Sequence, residues 1–333
     1  MPTNSFPTPT VPRIQDGDFH DPRAGIVAPG ATRTPAPFDL EGRTVLLAMD
    51  GSPGAAAGAR VALALATSRG ADIRVLHVID SRAVPFPPAL DVALAIEDAD
   101  RDLTSHQKEV QEVRSSLGAI TGKAIDWPIR VAIGAPSVTI VDEALRVDAA
   151  LVIVGLHKYG RIDRALNNET SLNVIRRCNC PVLGVVPGTT ELPTHILAAT
   201  DFSPASLTAT RAARAIADRH AAFVLAYVPP ITALLGDEGE RTIHDLGVRA
   251  AFTQAARQLG DEGLAFDHVV LQHDLSFSTA ATLLRYAEKT NCDLIAAGSA
   301  RLSHLERWLI GSVSTELVRD GGRSVLIVPP SKG

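Results

Sequence analysis

The sequence predicts an α/β fold with two tandem doubly wound domains, each with a five-stranded parallel sheet. Three observations predict it: apolar strands alternate with helical segments, the strands are continuous apolar runs, and the whole pattern occurs twice. Continuous apolar runs are typical of strands that are covered on both faces. Alternating strands and helices then give a parallel sheet with right-handed crossovers.

The internal repeat links two pairs of segments. The stretch "TVLLAMDGSPGAAAGARVALALATSRGADIRVLHVID" at 44–80 corresponds to "HILAATDFSPASLTATRAARAIADRHAAFVLAYVPP" at 195–230. Each contains a strand that ends in Asp, a Ser-Pro pair, an Ala-rich helix and a second strand. Further on, Gly155 to Val182 and Gly298 to Val325 are both separated by 27 residues. A repeat of this length indicates duplicated domains and not a solenoid.

The predicted elements follow the same order in both copies. Pro53 and Pro204 lie in the first turn of their helices, where a missing N–H loses no hydrogen bond. In the first copy, strands are predicted near 44–49, 73–79, 127–132, 151–154 and 182–186, and helices near 53–68, 91–117, 137–147 and 163–177. In the second copy, strands are predicted near 195–200, 222–228, 266–271, 294–297 and 324–328, and helices near 204–219, 240–260, 278–290 and 303–319.

The predicted domains occupy residues 43–190 and 191–333, and residues 1–42 precede them as an arm. The arm holds eight of the 22 prolines and has no sustained helical or strand period, which predicts an extended or disordered segment. The alternative is an arm that packs on the domains or on a partner. We also expect the last strand of one copy to pair with its counterpart in the other copy or in another chain.

The composition excludes several classes of protein. A net charge of −5 with interspersed acids and bases indicates neither a nucleic-acid-binding stripe nor a polybasic membrane patch. No apolar run reaches the ~18 residues of a membrane helix, and the N-terminus lacks the pattern of a signal peptide. Three cysteines are too few for a disulfide framework, and no metal-ligand cluster is evident. We therefore expect a cytoplasmic protein without membrane insertion, nucleic acid or a metal site.

The candidate ligand site lies where the strand order of such a sheet reverses. Ligands of doubly wound sheets bind beyond the carboxyl ends of the strands at this point. The loops after the first and fourth strands meet there. In the first copy these loops carry Asp50 and Gly155, and in the second copy they carry Asp201 and Gly298.

These residues resemble the universal stress proteins. The nucleotide-binding members of that family have glycine, two residues, glycine, nine residues and then Gly-Ser or Gly-Thr, with Asp after the first strand. The segments "CPVLGVVP", "LHV" and "GAPSVTIVDEA" of the first copy support the resemblance, which covers both copies. It implies an adenine nucleotide alpha hydrolase-like fold, an ATP or AMP site with Mg²⁺ as a possible companion, and two domains paired like a dimer within one chain.

The resemblance is more complete in the second copy. Glycine lets backbone N–H groups approach phosphate, and a helix N-terminus adds a favourable dipole. Asp201 is implied to accept from the adenine or ribose, and Val228 to line the base. Arg301 replaces the middle glycine, and either pairs with phosphate or fills its space. The residues implied in this copy are Asp201, Val228, Gly298, Arg301, Gly311, Ser312 and Val313.

The first copy departs further from the family pattern. Gly155 is kept, but Lys158 replaces the second glycine, and Asn168-Glu169 replaces Gly-Ser. A carboxylate at this position repels phosphate unless Lys158 offsets it through a salt bridge, so this copy is the weaker candidate. The alternative for this copy is an adenosine-like ligand with fewer phosphates. Its implied residues are Asp50, Val78, Gly155 and Lys158.

The resemblance implies a non-catalytic, soluble stress-response protein that binds ATP or AMP in the second copy and signals through contacts with an unknown regulatory partner. No catalytic residues are assigned. One alternative is a nucleotide-free interaction scaffold, and another is a slow ATPase or adenylyl-transfer enzyme. Beyond the pseudo-dimer within the chain, a homodimer is the remaining assembly that the sequence leaves open.

Overall fold

The computed structural model describes residues 38–81, 92–157, 169–260, 263–272, 276–299, 311–320 and 322–330, with the backbone alone along 92–105 and at 234. The predicted arm up to residue 37, Lys158, Arg301 and the first parts of the helices predicted at 163–177 and 303–319 lie outside these residues.

The described ranges contain ten strands and nine helices. They follow the predicted order, with one additional helix. The first half contains β1 (Thr44–Met49), α1 (Pro53–Arg69), β2 (Asp72–Asp80), α2 (Val92–Thr121), β3 (Ile129–Gly134), α3 (Pro136–Arg146), β4 (Leu151–Gly155), α4 (Glu169–Arg177) and β5 (Val182–Val185). The second contains β6 (His195–Ala199), α5 (Pro204–Ile216), β7 (Ala222–Tyr227), α6 (Ile231–Leu234), α7 (Glu238–Gly260), β8 (Asp267–Val270), α8 (Thr279–Lys289), β9 (Leu294–Gly298), α9 (Ser312–Asp320) and β10 (Ser324–Val328). The addition is the four-residue helix α6.

One continuous sheet runs through both copies. Its strand order is β3-β2-β1-β4-β5-β10-β9-β6-β7-β8, and every neighbouring pair is parallel except β5 and β10. At this antiparallel seam Leu183 lies opposite Leu326, which is its counterpart in the repeat. The last strand of each copy therefore pairs with its counterpart in the other copy, one of the two pairings that the sequence allowed.

The helix after the first strand begins in the same way in both copies. The Ser52 side chain accepts a hydrogen bond from the Ala55 N–H before α1, and Ser203 accepts one from Ser206 before α5. A serine at this position satisfies an amide that has no partner inside the helix. Both helices have proline in their first turn, as predicted.

Helices cover both faces of the sheet and bury its apolar strands. Helices α1, α2, α5 and α7 pack on one face, and α3, α4, α8 and α9 pack on the other. Each layer crosses the seam from one copy to the other, so the two copies share both cores. This arrangement confirms the predicted α/β class with its parallel, doubly wound halves. None of the helices in the described ranges combines the length and apolar content needed to cross a membrane.

Candidate functional site

Each half has one point where the strand order reverses. Strand β1 lies between β2 and β4, and β6 lies between β7 and β9. In both halves the carboxyl ends of these three parallel strands meet at one edge of the sheet, called here the ligand edge of that copy. The first-strand and fourth-strand loops thus lie side by side, which is the arrangement that ligands of doubly wound sheets use.

The two aspartates hold the start of the following helix at each ligand edge. Asp50 Oδ1 accepts a hydrogen bond from the Ser52 N–H at 2.9 Å, and Asp201 Oδ1 accepts one from the Ser203 N–H at 3.0 Å. Both side chains are exposed. A carboxylate has several acceptor sites, so one backbone contact leaves capacity for a ligand hydroxyl or amino group.

The valines lie beside these aspartates. Met49 pairs with His77 and Ala199 pairs with Ala226, and continuing each register brings Asp50 level with Val78 and Asp201 level with Val228. Both valines are half-buried and pack against the core formed with α3, α4, α8 and α9. Each offers a small apolar surface next to a carboxylate.

Gly155 and Gly298 have a structural reason to be glycine. A Cβ added at Gly298 would lie 2.6 Å from the carbonyl carbon of Ala205 and 2.8 Å from the Ser206 nitrogen. A Cβ at Gly155 would likewise collide with the backbone of Gly54 and Ala55. The end of the fourth strand therefore touches the first turn of α1 or α5 in each copy. Close packing alone explains both glycines, whether or not a phosphate approaches them.

Gly311 is different, because a Cβ there would meet no atom within 4 Å. It directly precedes α9, and its carbonyl accepts a hydrogen bond from the Thr315 N–H at 3.2 Å. Ser312, the first residue of α9, is exposed, and Val313 is half-buried against the core. The equivalent first residue of α4 is the exposed Glu169. The first residue of α9 is thus uncharged, and the first residue of α4 carries a carboxylate.

In each copy, the structure therefore brings the aspartate, the valine and the first glycine together at the ligand edge of that copy. Lys158 and Arg301 lie outside the described residues, so the middle position of the motif has no structural description. Among the residues that the structure describes, no group of three or more His, Cys, Asp or Glu side chains could hold a metal ion.

Sequence reasoning missed an aromatic cluster below the second ligand edge. Phe202 follows Asp201, and its ring lies 5.1 Å from that of Tyr227 and 4.8 Å from that of Phe252. The Tyr227 hydroxyl and His244 Nε2 form a buried hydrogen bond of 3.2 Å. Burial lowers the pKa of His244 below its ordinary value, and the nearby Asp245 carboxylate opposes this effect. The sequence does contain one signal of this cluster, because the second copy has Phe202 where the first copy has Gly51.

A buried hydroxyl pair was missed as well. Thr200 Oγ1 lies 3.2 Å from Ser206 Oγ, and it accepts a hydrogen bond from the Phe202 N–H at 2.9 Å. Both hydroxyl-bearing residues are buried. They fix the turn that carries Asp201 to the first turn of α5. The first copy has Met49 at the position of Thr200, so this bracing belongs to the second copy.

Known proteins match both halves of the chain. The model of the Universal stress protein family matches residues 42–186 and again residues 193–329. A Thermus aquaticus protein named "Universal stress protein in QAH/OAS sulfhydrylase 3'region" is 30% identical over 141 residues, which is 42% of this chain and 96% of that protein. A universal stress protein of Mycolicibacterium smegmatis is 26% identical over 301 residues, covering 86% of this chain and 97% of the relative.

A solved structure agrees with the same arrangement. The crystal structure of a universal stress protein from Archaeoglobus fulgidus superposes with a TM-score of 0.60 at 18% identity, covering 86% of this chain and 98% of that one. At this identity the likeness concerns the fold. With two matches of the family model along one ten-stranded sheet, the chain belongs to the universal stress protein family and is a tandem of two such domains.

Proposed function

We propose that this protein is a stress-response regulator that binds an adenine nucleotide, ATP or AMP, at the ligand edge of its second copy and acts through protein contacts. The observation that carries the proposal is the start of α9. There an unobstructed Gly311 and an exposed Ser312 stand at the first turn of the helix, in the family's position for a phosphate. The first copy has Glu169 at the same place.

The phosphates would bind at the start of α9. The first amides of a helix have no partner inside it, and the helix dipole favours negative charge at this end. The Ser312 hydroxyl adds a neutral donor. A carboxylate in its place would repel phosphate strongly at close range. The second copy is thus the better anion site, and the first copy is the supporting half.

The adenosine moiety would lie over β6 and β7. The Asp201 carboxylate is held by its bond to the Ser203 amide, and can accept from a ribose hydroxyl or the adenine amino group. Val228 offers an apolar wall beside it. A nucleotide that contacts both Asp201 and α9 ties the first-strand loop to that helix. The surface around the ligand edge then differs between the empty and the occupied protein, and a partner protein can recognise that difference.

The two tryptophans provide a site-specific assay. Trp127 precedes β3 in the first copy, and Trp308 lies between Gly298 and Gly311 in the sequence. A Trp127→Phe background leaves Trp308, in the second motif, as the sole tryptophan. We expect ATP or AMP to change its emission saturably, with calorimetry giving the same affinity. Addition of Mg²⁺ alongside ATP tests for an accompanying ion.

Two matched substitutions assign the site to one copy. Ser312→Glu gives the second copy the residue that the first copy has, and should weaken nucleotide binding roughly tenfold or more. It should leave folding intact, because Ser312 is exposed and an acid at a helix N-terminus is favourable. Glu169→Ser is the control and should leave affinity in the second copy unchanged.

Absence of binding up to millimolar ATP, ADP and AMP would contradict the proposal and favour the nucleotide-free scaffold. Release of phosphate from ATP that is abolished by Asp201→Ala would favour the enzymatic alternative. Equal losses of affinity in Ser312→Glu and Glu169→Ser would contradict the assignment to the second copy.

A further inference from the structure

A cavity of about 180 Å³ lies between the two copies, away from both ligand edges. It is bordered by the C-terminal ends of α1 and α5, by the residues that precede β1 and by Leu264 before β8. Its lining is Phe38, Asp39, Arg69, Arg211, Arg214, Ala215 and Leu264. Arginine from the first copy and arginines from the second copy therefore converge on one space.

Positive charge dominates this cavity. Neither Arg69 nor Arg214 forms an ion pair with any residue that the structure describes, and Arg211 is 6% exposed. Asp39 is the acidic residue of the lining, and its Oδ1 accepts hydrogen bonds from the Leu40 and Glu41 amides of its own turn. The Arg69 and Arg214 guanidinium groups, which form no ion pair within the described ranges, face one carboxylate, so the lining carries excess positive charge.

Arg69 is fixed in place across the interface of the copies. Its Nη2 donates to the Ala217 carbonyl oxygen, at the end of α5, at 2.5 Å. Its Nε is buried and has no hydrogen-bond partner. A buried donor of a charged group without a partner is destabilising. An acceptor that reached Nε would remove this penalty.

We propose that this cavity binds a phosphate group, either as inorganic phosphate or as the phosphate of a small nucleotide. Arginine presents several donors in a rigid planar fork that matches the oxygens of phosphate. The tetrahedral anion would accept from the Arg69 and Arg214 guanidinium groups. Since these residues come from both copies, occupancy would strengthen the contact between α1 and α5. This inference does not depend on the nucleotide site at α9.

The test is calorimetry with inorganic phosphate, AMP and adenosine at constant ionic strength set with chloride. We expect phosphate to bind the full chain, and Arg214→Gln and Arg69→Gln to weaken it roughly tenfold or more each. Arg69→Lys keeps the charge but removes Nε and should also weaken binding. Arg219→Gln, on an exposed arginine outside the lining, is the matched control and should bind like the wild type.

Circular dichroism checks that each variant is folded, and Arg214 is exposed, so its replacement should be tolerated. Binding of AMP but not of inorganic phosphate, lost in Arg69→Gln and Arg214→Gln, would assign the phosphate to a nucleotide. The proposal would be overturned if neither AMP nor inorganic phosphate bound, or if Arg219→Gln lost as much affinity as Arg69→Gln and Arg214→Gln. Ser312→Glu should leave phosphate binding at the cavity unchanged. A failure of the cavity proposal is therefore distinguishable from a failure of the nucleotide proposal at α9.

Discussion

Gly51 and Phe202 occupy the same position in the two copies, and both adopt a positive φ, +78° for Gly51 and +61° for Phe202. Glycine tolerates this conformation, whereas a residue with a Cβ is destabilised in it. The Phe202 ring packs edge-to-face against Phe252, with 4.8 Å between the centroids. The aromatic packing therefore offsets an unfavourable backbone in the second copy.

Replacing Phe202 separates the backbone term from the packing term. Phe202→Ala removes the ring and keeps the strained φ, so we expect a loss of roughly 2–4 kcal/mol in the free energy of unfolding. Phe202→Gly removes the ring and relieves the strain, and should be less destabilising than Phe202→Ala by roughly 1 kcal/mol. Urea denaturation measures both. If Phe202→Ala is more stable than Phe202→Gly, the positive φ at residue 202 is not destabilising for a residue with a Cβ.

The close contact between β9 and α5 predicts that Gly298 does not tolerate a side chain. Gly298→Ala places a Cβ against the Ala205 carbonyl and the Ser206 amide, and both are backbone atoms that cannot turn away. We expect a loss of roughly 1–3 kcal/mol in the free energy of unfolding. Gly260→Ala at the end of α7, where a Cβ meets nothing within 4 Å, is the control and should change stability by less than about 1 kcal/mol.

The measurement is denaturation of the unliganded protein, so the result is independent of nucleotide binding. A Gly298→Ala variant as stable as Gly260→Ala would mean that the packing contact is not the reason for this glycine. The phosphate role would then be its remaining explanation.

His244 predicts a pH dependence of stability. Burial lowers its pKa below the ordinary value of 6.5, so between the folded-state pKa and 6.5 the unfolded chain binds more protons than the folded one. Stability should therefore fall as the pH drops below 6.5, and level off below the folded-state pKa. The contribution is at most about 1.4 kcal/mol per pH unit.

The control is His244→Phe, which keeps a ring next to Tyr227 and cannot titrate. We expect its stability to fall less steeply than that of the wild type between pH 7 and pH 5 in urea denaturation. Parallel curves for the two proteins would show that His244 makes no such contribution.

The seam between β5 and β10 predicts that the two copies unfold together. Leu326 is fully buried opposite Leu183, and Leu326→Ala should lower the free energy of unfolding by roughly 2–5 kcal/mol. In a Trp308→Phe background, Trp127 reports on the first copy alone. Its unfolding midpoint should shift although the substitution lies in the second copy. An unchanged Trp127 midpoint, with two transitions by circular dichroism, would mean that the copies are independent.

The strands and most helices were predictable because apolar runs and the repeat mark them directly. Helix α6 was not, since it has only four residues and Pro230 before it supplies no side-chain cap. The third strand begins at Ile129 and not at Trp127, because Pro128 has no N–H to donate to a ladder. Periodicity marks the elements, but one-turn helices and strand starts depend on local hydrogen bonding.

The candidate site was predictable as far as the repeat and the family motif place residues at strand ends. Asp201 and Gly298 lie at the ligand edge, where the topology of a doubly wound sheet brings them. The bond from Arg69 to Ala217 joins residues 148 positions apart, and no spacing in the sequence indicates it. The cavity between the copies depends on such long-range contacts and could be found only from the folded structure.

The reversal of direction at the β5–β10 pairing has a geometric consequence for ligands. Strands β1, β2 and β4 point one way and β6, β7 and β9 point the other, so the two ligand edges lie at opposite ends of the strands in the shared sheet. One small molecule cannot bridge them, and one docked protein cannot cap both with a single flat surface. The two ligand edges therefore have separate surroundings, and they differ at equivalent positions, where one has Glu169 and the other Ser312.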